Sequence, residues 1–563
     1  MFADKQKMYY TILVKKVLKG QFCPIAHERG GGMKRRQLTR LIIAVGLMAV
    51  MVATILGVGV WMYLSVKPAP ATPAAPQQPS SGELTTSADF QPDRTKLFIP
   101  HDGVLLDENG REVSLKAFRG RATVILFWSS WCSDCKEYFA GQLRSCMEAA
   151  EKAGAAFVLA AREGMREETH ATAEACLAEF GLDCGTMMDP GAELFNAMGL
   201  HWVPSMAVLD ADGRLMVLSS DMPDADGMTA MIDYACGGME TQTERLLAAM
   251  TTSGGIASAC VVDKGSLTPQ RTILSETQGL MMRYALKACR QPLFDYTLGY
   301  VRNSMTRSGL SAWQTLNHEM AGVNASLDDL RLIEALIDAE NLWGGYAGEV
   351  AYRERALYSA CVQNGYFRDF ADLASGQPSQ TVTLCYQDIT AMRSLAQWRQ
   401  AWNDVADRAV ELLTGGIIAD EFPLYWPRYD AEEDRYYGEL LQMNEAMITV
   451  LNAVRAGIAE PGTLDWLEER LAEGYVAAAY TPQGEVVAGY EFESTATYAL
   501  LVQIGLEADR PQMALAALQR MERLRSFQQP LLGGYGETEG SMLYTFDVIQ
   551  AMLAWQSWNQ AGL

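Results

Sequence analysis

Positive charge is what this chain has too little of: 46 Lys and Arg stand against 68 Asp and Glu, a formal net charge of -22 over 563 residues. Nucleic-acid phosphates are bound by clustered Lys and Arg, so no nucleic-acid partner is expected. Cysteine is sparse as well. Eleven in a chain this long do not make a disulfide-stapled scaffold, and only Cys132 and Cys135 stand close together. Cys146, Cys176, Cys184, Cys236, Cys260, Cys289, Cys361 and Cys385 are isolated in sequence; they read as small buried hydrophobes, with pairing outside the cytoplasm left open. No second C-x-x-C or C-x-x-H follows the close pair, which argues against zinc, and no metal is expected. Nor does any repeat signature return at a fixed period. What is present is apolar mass, 49% hydrophobic and 9% aromatic residues. That fills real cores, at a length beyond what one core organises, so two folded domains plus extensions are expected.

Leu41 to Val66 is an uncharged apolar stretch, long enough to cross the roughly 30 Å of bilayer hydrocarbon at about 1.5 Å per residue. We read 41–66 as a transmembrane helix rather than a cleaved leader, because the run exceeds a signal-peptide core and Trp61 and Tyr63 suit an interfacial anchor. Lys34, Arg35, Arg36 and Arg40 precede it, which keeps residues 1–40 cytoplasmic and directs everything after Val66 outward. Residues 1–32 fit neither a folded nor a targeting pattern, and Met33-Lys34-Arg35-Arg36 makes an ordinary start, so a mis-called start is expected there. Residues 67–92, rich in Pro, Ala and Ser, form a semi-extended tether.

From 93 to 238 the pattern is hairpin, strand, helix, strand, helix, strand, which predicts an α/β domain with a mixed sheet. Val104–Leu106 and Val113–Leu115 flank an Asn109-Gly110 turn. Ala122–Trp128 is a buried strand that runs straight into Trp131-Cys132-Ser133-Asp134-Cys135, so the cysteines open a helix. Helix-terminal N–H groups stabilise a thiolate there, making Cys132 the nucleophile on a disulfide and Cys135, one turn on, the resolving thiol. Downstream, Val203-Pro204-Ser205 leads into the strand-like Met206–Asp210. These residues resemble the TlpA/ResA-type membrane-tethered thiol–disulfide oxidoreductases, in the FW-x-x-WC-x-x-C strand end, the V-P-S turn and the Asp210-Ala211-Asp212-Gly213 hairpin. The resemblance implies a thioredoxin-like fold, supporting roles for Trp131 and Pro204, and a cis Val203-Pro204 bond opposite the cysteines. No cofactor is implied beyond the Cys132–Cys135 disulfide.

From 253 to 563 about a dozen helical stretches follow, among them Glu276–Ala288, Asp328–Ala339, Ala401–Leu413, Gly438–Val454 and Arg510–Arg523, with no strand-rich interruption. Pairs recurring every 40–50 residues or so predict six hairpins closed into an (α/α)6 toroid in preference to an open solenoid. Ser275-Glu276-Thr277-Gln278-Gly279-Leu280-Met281-Met282 resembles the S-E-G-x-G-Y-G-M motif of glycoside hydrolase family 8. Phe294-Asp295, Trp313, Asn324–Leu330, Trp343 and Pro423–Pro427 follow in that family's order. The resemblance implies an inverting hydrolase of a β-linked polysaccharide, with Glu276 as general acid, Glu493 or Glu491 as base and Asp329 in support. Trp313, Trp343, Tyr425 and Trp426, with Tyr346, would floor a sugar groove, and Glu537 would line its edge. Bland readings stand beside these: Ser275-x-x-Gln278 is also a capping box, Ser326 a helix cap, and aromatics at helical spacing are usually core. Thr277, Leu280, Met281 and Leu327 depart from the family pattern, and no basic residue follows the late acid.

The expected protein is therefore multidomain, a single-pass cell-membrane protein whose thioredoxin-like and toroidal domains lie outside the cytoplasm. A transmembrane thiol carrier would supply electrons if Cys132 works as a reductant. The competing reading is a disulfide reductase or isomerase whose toroid is a non-catalytic carbohydrate- or protein-binding module.

Overall fold

The computed structural model describes residues 101–163, 168–198, 200–237, 246–252, 255–263, 265–536 and 542–561. The segments read above as cytoplasmic (1–40), transmembrane (41–66) and tether (67–92), together with Glu537, lie outside these residues. Among the described residues no helix is long and apolar enough to cross a membrane.

The first domain is built on seven strands: β1 (Val104–Leu106), β2 (Glu112–Ser114), β3 (Thr123–Trp128), β4 (Ala156–Arg162), β5 (Met187–Asp189), β6 (Ser205–Leu209) and β7 (Leu215–Ser219). They lie in the order β2-β1-β5-β4-β3-β6-β7. The central β3–β4 and β4–β5 pairs are parallel and the flanking pairs antiparallel, so the sheet is mixed as expected. Every residue of β3 is buried. Its side chains alternate, Val124, Leu126 and Trp128 towards one core and Ile125 and Phe127 towards the other, the period-two signature of a strand covered on both faces. Helices α1 (Ser133–Gly141), α2 (Leu143–Lys152), α3 (His170–Glu179), α4 (Glu193–Ala197) and α5 (Ala225–Ala235) supply the covering layers. In α2 the buried Leu143, Cys146 and Ala150 make one apolar stripe.

The second domain is a closed ring. Six inner helices form it: α6 (Ser275–Lys287), α8 (Ser326–Leu342), α10 (Ile389–Leu395), α12 (Met443–Arg455), α14 (Thr495–Glu507) and α16 (Thr545–Gln560). Each packs on the next, and α16 returns to α6. Outer helices α7 (Gln291–Tyr300), α9 (Ala347–Cys361), α11 (Trp402–Thr414), α13 (Pro461–Glu473) and α15 (Pro511–Glu522) complete the hairpins. The toroidal architecture agrees with the sequence reading, and the strands between its helices are short. Short ribbons such as Thr272–Leu274, Leu441–Gln442 and Met542–Tyr544 deliver the chain to inner-helix N-termini. Residues 438–442, read as the first turn of a helix, are extended or irregular instead.

The two domains share a core. Tyr234 of α5 stacks edge-on against Phe527 with centroids 5.6 Å apart, and its hydroxyl donates to the buried Glu522. Glu522 also accepts from Arg525 (2.7 and 3.1 Å), Tyr535 (2.6 Å) and Trp555 (2.9 Å). Burial alone would raise its pKa, but the Arg525 guanidinium and the convergent donors hold it below the ordinary 4.5. Gly227 closes the joint sterically, since a Cβ there would stand 2.1 Å from the Phe527 carbonyl oxygen.

Candidate functional sites

Cys132 is the N-cap of α1, and the Cys132–Cys135 pair forms a disulfide with Cα atoms 5.3 Å apart. The Cys135 N–H donates to Cys132 Sγ at 3.1 Å. That is a helix-terminal donor aimed at the sulfur that would carry thiolate charge. On the opposite side Cys132 Sγ lies 3.4 Å from the Val203 carbonyl oxygen, and the Val203-Pro204 bond is cis. Trp131 is half-buried and packs on the core. Trp202, adjoining the cis bond in sequence, is 70% exposed. One residue the sequence reading missed holds the entry loop. Glu168 is buried and accepts from the Ser130 N–H (2.8 Å), the Ser130 hydroxyl (3.0 Å) and Thr172 (2.9 Å). No local pattern marks it, because its partner lies 38 residues upstream. Of the isolated cysteines, Cys146, Cys176, Cys260, Cys361 and Cys385 are buried thiols.

In the ring, Glu276 lies in the first turn of α6, half-buried. Burial and the neighbouring Asp328 push its carboxyl up to about 7 against the pull of Arg331, with Asp547 adding to the rise. Asp328 is pushed up to about 6, again chiefly by burial. It accepts the Ser275 hydroxyl at 2.6 Å and the Glu276 backbone N–H. Ser275 therefore does not cap its helix; the N-cap is Leu274, and the Ser275 hydroxyl ties α6 to α8. Ser326 is likewise no cap, since Ala325 takes that place without a side-chain bond. Asp547 in the first turn of α16 is half-buried and accepts the Ala496 N–H at 3.0 Å and the Ser494 hydroxyl at 3.3 Å. Tyr386 stands near both Glu276 and Asp328.

Several expected roles fall elsewhere. Glu493, the expected base, is clamped by Arg520 through two bonds of 2.6 and 2.8 Å and receives the Tyr498 hydroxyl; a carboxylate so engaged is a structural anion. Glu491 is exposed and accepts the nearby Gly489 N–H. Asp329 is 1% exposed, and its oxygens are taken by Ser311 N–H (2.9 Å) and Asn324 Nδ2 (2.9 Å). It holds loops and has no face towards a sugar; burial pushes it up to about 6. Trp343 caps the C-terminal end of α8 and packs edge-on against Phe294. Fifteen residues separate it from Asp328, about 22 Å at 1.5 Å per residue. Tyr346 donates to Asp295 at 2.6 Å, and Tyr425 is 3% exposed; both are packing residues. Trp426 is half-buried, its N–H bonded to Gly416. Trp313 remains at the mouth, its carbonyl accepting the Ser275 N–H and hydroxyl.

Residues 88–225 match the family model described as Redoxin. Within this region the chain is 24% identical over 113 residues to the thiol-disulfide oxidoreductase ResA of Bacillus thuringiensis, 20% of this chain and 62% of that protein. Over 306 residues it is 25% identical to Bacillus subtilis YdaJ, named a lipoprotein, covering 52% of this chain and 81% of YdaJ. Among solved structures, an α-amylase from Clostridium perfringens superposes with a TM-score of 0.52 at 25% identity, over 56% of this chain and 97% of that one. A cold-adapted family 8 xylanase gives 0.44 at 13% identity, over 57% and 91%. The chain thus joins a Redoxin domain with ResA relatives to a helical domain that shares a glycosidase fold, as the two motif resemblances implied.

Proposed function

We propose that the chain is a membrane-anchored, extracytoplasmic protein that joins a thiol–disulfide oxidoreductase to an inverting glycoside hydrolase acting on a polysaccharide. The observation that carries the hydrolase is Glu276, a half-buried acid at the ring mouth with its carboxyl pushed up to about 7. At neutral pH a substantial share of it still carries the proton that a leaving glycosidic oxygen needs. Asp547 is the partner that activates water. It reaches Glu276 electrostatically from the adjacent inner helix, and Ala496 and Ser494 orient it. Asp328 lies sealed beneath Ser275 and positions the acid. The motif resemblance favours a β-linked polymer, whereas the α-amylase relative favours an α-glucan.

In the redox domain, reduced Cys132 attacks a substrate disulfide, forming a mixed disulfide and releasing one substrate thiolate. Cys135 then attacks Cys132 Sγ, releasing the second thiolate and restoring the Cys132–Cys135 disulfide. A membrane thiol carrier supplies the two electrons for the next cycle. The apolar run 41–66 and a lipoprotein relative support the membrane location.

The test measures reducing ends released by the purified protein from starch, β-glucan, xylan and chitosan, with Glu276→Gln and Asp547→Asn alongside. Loss in both folded variants supports the assignment, and the substrate consumed fixes the linkage. No release from any polymer by the wild type leaves the helical domain as a binding module beside the redox centre.

A further inference from the structure

A second cavity, distinct from the Glu276 mouth, runs along the ring axis from its middle to the end where the inner helices finish, and encloses about 370 Å³. Leu280, Arg331 and Leu500 line its inner end, one turn or more beyond the mouth acids, and Lys287, Arg455 and Gln560 its open end. Cations and carboxylates crowd its wall. Arg283 and Arg455 each lie 3.1 Å from the single carboxylate of Glu334, and Arg331 acts on the same group through space. Asp388 stands 3.6 Å from Arg455. Arg283, Arg331 and Arg455 thus lean on Glu334 and Asp388, and Glu507 on the cavity wall adds a further carboxylate. Among the described residues Lys287 donates to the neutral Ser557 (3.2 Å) and Gln560 (3.3 Å), with Glu507 and Asp338 acting on it through space.

Arg331 decides the reading. It is 5% exposed, lines the cavity, and its Nε and Nη1 have no hydrogen-bond partner among the described residues. On the mouth side it feels Glu276 and Asp328, whose carboxyls burial pushes up to about 7 and about 6. Two buried guanidinium nitrogens without acceptors, Nε and Nη1, call for planar or tetrahedral oxygens that can take their bonds. Helix C-termini offer only carbonyl dipoles at this end, which the cations complement but do not saturate.

We propose that this axial cavity binds a small oxyanion, a phosphate or a carboxylate, held by Arg331 with Arg283 and Lys287 beside it. Its volume accommodates a ligand larger than a bare ion, so a phosphate and the carboxylate of an acidic sugar are the two sources of the same chemistry. The site uses no residue of the proposed hydrolytic pair and stands whether or not that pair turns over glycan.

The full-length protein is titrated with sodium phosphate and with sodium glucuronate at ionic strength fixed by sodium chloride, following heat and thermal midpoint. Saturable binding of one anion above the chloride baseline is expected, and the tighter anion names the source. Arg331→Gln is expected to weaken it by about tenfold or more. Lys287→Gln, at the open end where folding is less exposed to risk, is expected to weaken it several-fold. No saturable response to either anion in folded wild type, or unchanged binding in folded Arg331→Gln and Lys287→Gln, overturns the proposal.

Discussion

Cys132 and Glu276 both stand at the N-terminus of a helix, and the same helix end serves them in opposite ways. At α1 the sulfur is the cap itself, with the Cys135 N–H at 3.1 Å, so the helix end favours the charged thiolate. At α6 the carboxyl lies inside the first turn, and its neighbours Asp328 and Asp547 add negative charge in a half-buried mouth. The dipole contributes about 0.3–1 kcal/mol at such a place. One pKa unit is about 1.4 kcal/mol, so a rise from 4.5 to about 7 means that burial and like charge outweigh it. A helix N-terminus is therefore a donor array whose effect on a side chain depends on solvent and on what else faces it.

The sharpest way to separate the two sites is Cys132→Ser. Insulin-disulfide reduction should fall to background, because no thiolate remains to attack, while glycan hydrolysis stays at the wild-type rate. A drop in both activities in a folded variant would show that the sites are coupled.

Glu276→Gln is expected to lower kcat by about 10²–10⁴ with little change in KM, the range for loss of a positioned general acid. The wild-type rate should hold below pH 7 and decline as pH rises through about 7, since the acid must carry its proton. Glutamine removes that titration, so the residual rate of the variant should lack the alkaline limb. A limb that persists unchanged assigns it to another group.

The redox half was legible because its chemistry is contiguous. Thr123–Trp128 is an unbroken apolar run and the cysteines follow within a few residues, whereas Pro204, about 70 residues on, was found by resemblance alone. In the ring, the acids that matter are brought together from α6, α8 and α16, up to 271 residues apart. Inner helices blur the usual signal too: in α8, Asp328, Asp329, Arg331 and Glu334 are buried alongside Leu330, Leu332 and Ile333, so no polar stripe marks the site. Asp547 lies in the first turn of α16, and its approach to Glu276 follows from ring closure, which no local pattern carries. The aromatics failed for a related reason: Trp343 has the right order in sequence and the wrong end of a seventeen-residue helix.

Glu522 offers a third comparison, a buried acid held ionised by the joint between the domains. Glu522→Gln leaves Arg525 buried without its counter-charge and should cost about 3–5 kcal/mol in denaturant unfolding. The folded pKa lies below the ordinary 4.5, so the stabilisation is complete above that value and is lost as pH falls through the depressed one. Acid unfolding of the wild type should therefore steepen below about pH 4.5, and the variant should lack that contribution. An unchanged acid profile would remove Glu522 from the joint's energetics.

Glu493→Gln gives the smallest effect and tells apart the two jobs a ring carboxylate can have. A catalytic base lost from a folded enzyme lowers kcat by orders of magnitude, whereas a partner lost from the Arg520 clamp lowers stability by about 1–3 kcal/mol. With both Arg520 bonds and the Tyr498 hydroxyl on its oxygens, three of the four or so lone-pair sites of Glu493 are taken. Glutamine keeps one acceptor oxygen and the shape of the side chain, so the fold should persist with a modestly lower thermal midpoint. Hydrolysis per folded molecule should stay within about twofold of wild type. A kcat loss on the scale of Glu276→Gln, with KM and thermal midpoint unmoved, would return Glu493 to the chemistry and displace Asp547 from it.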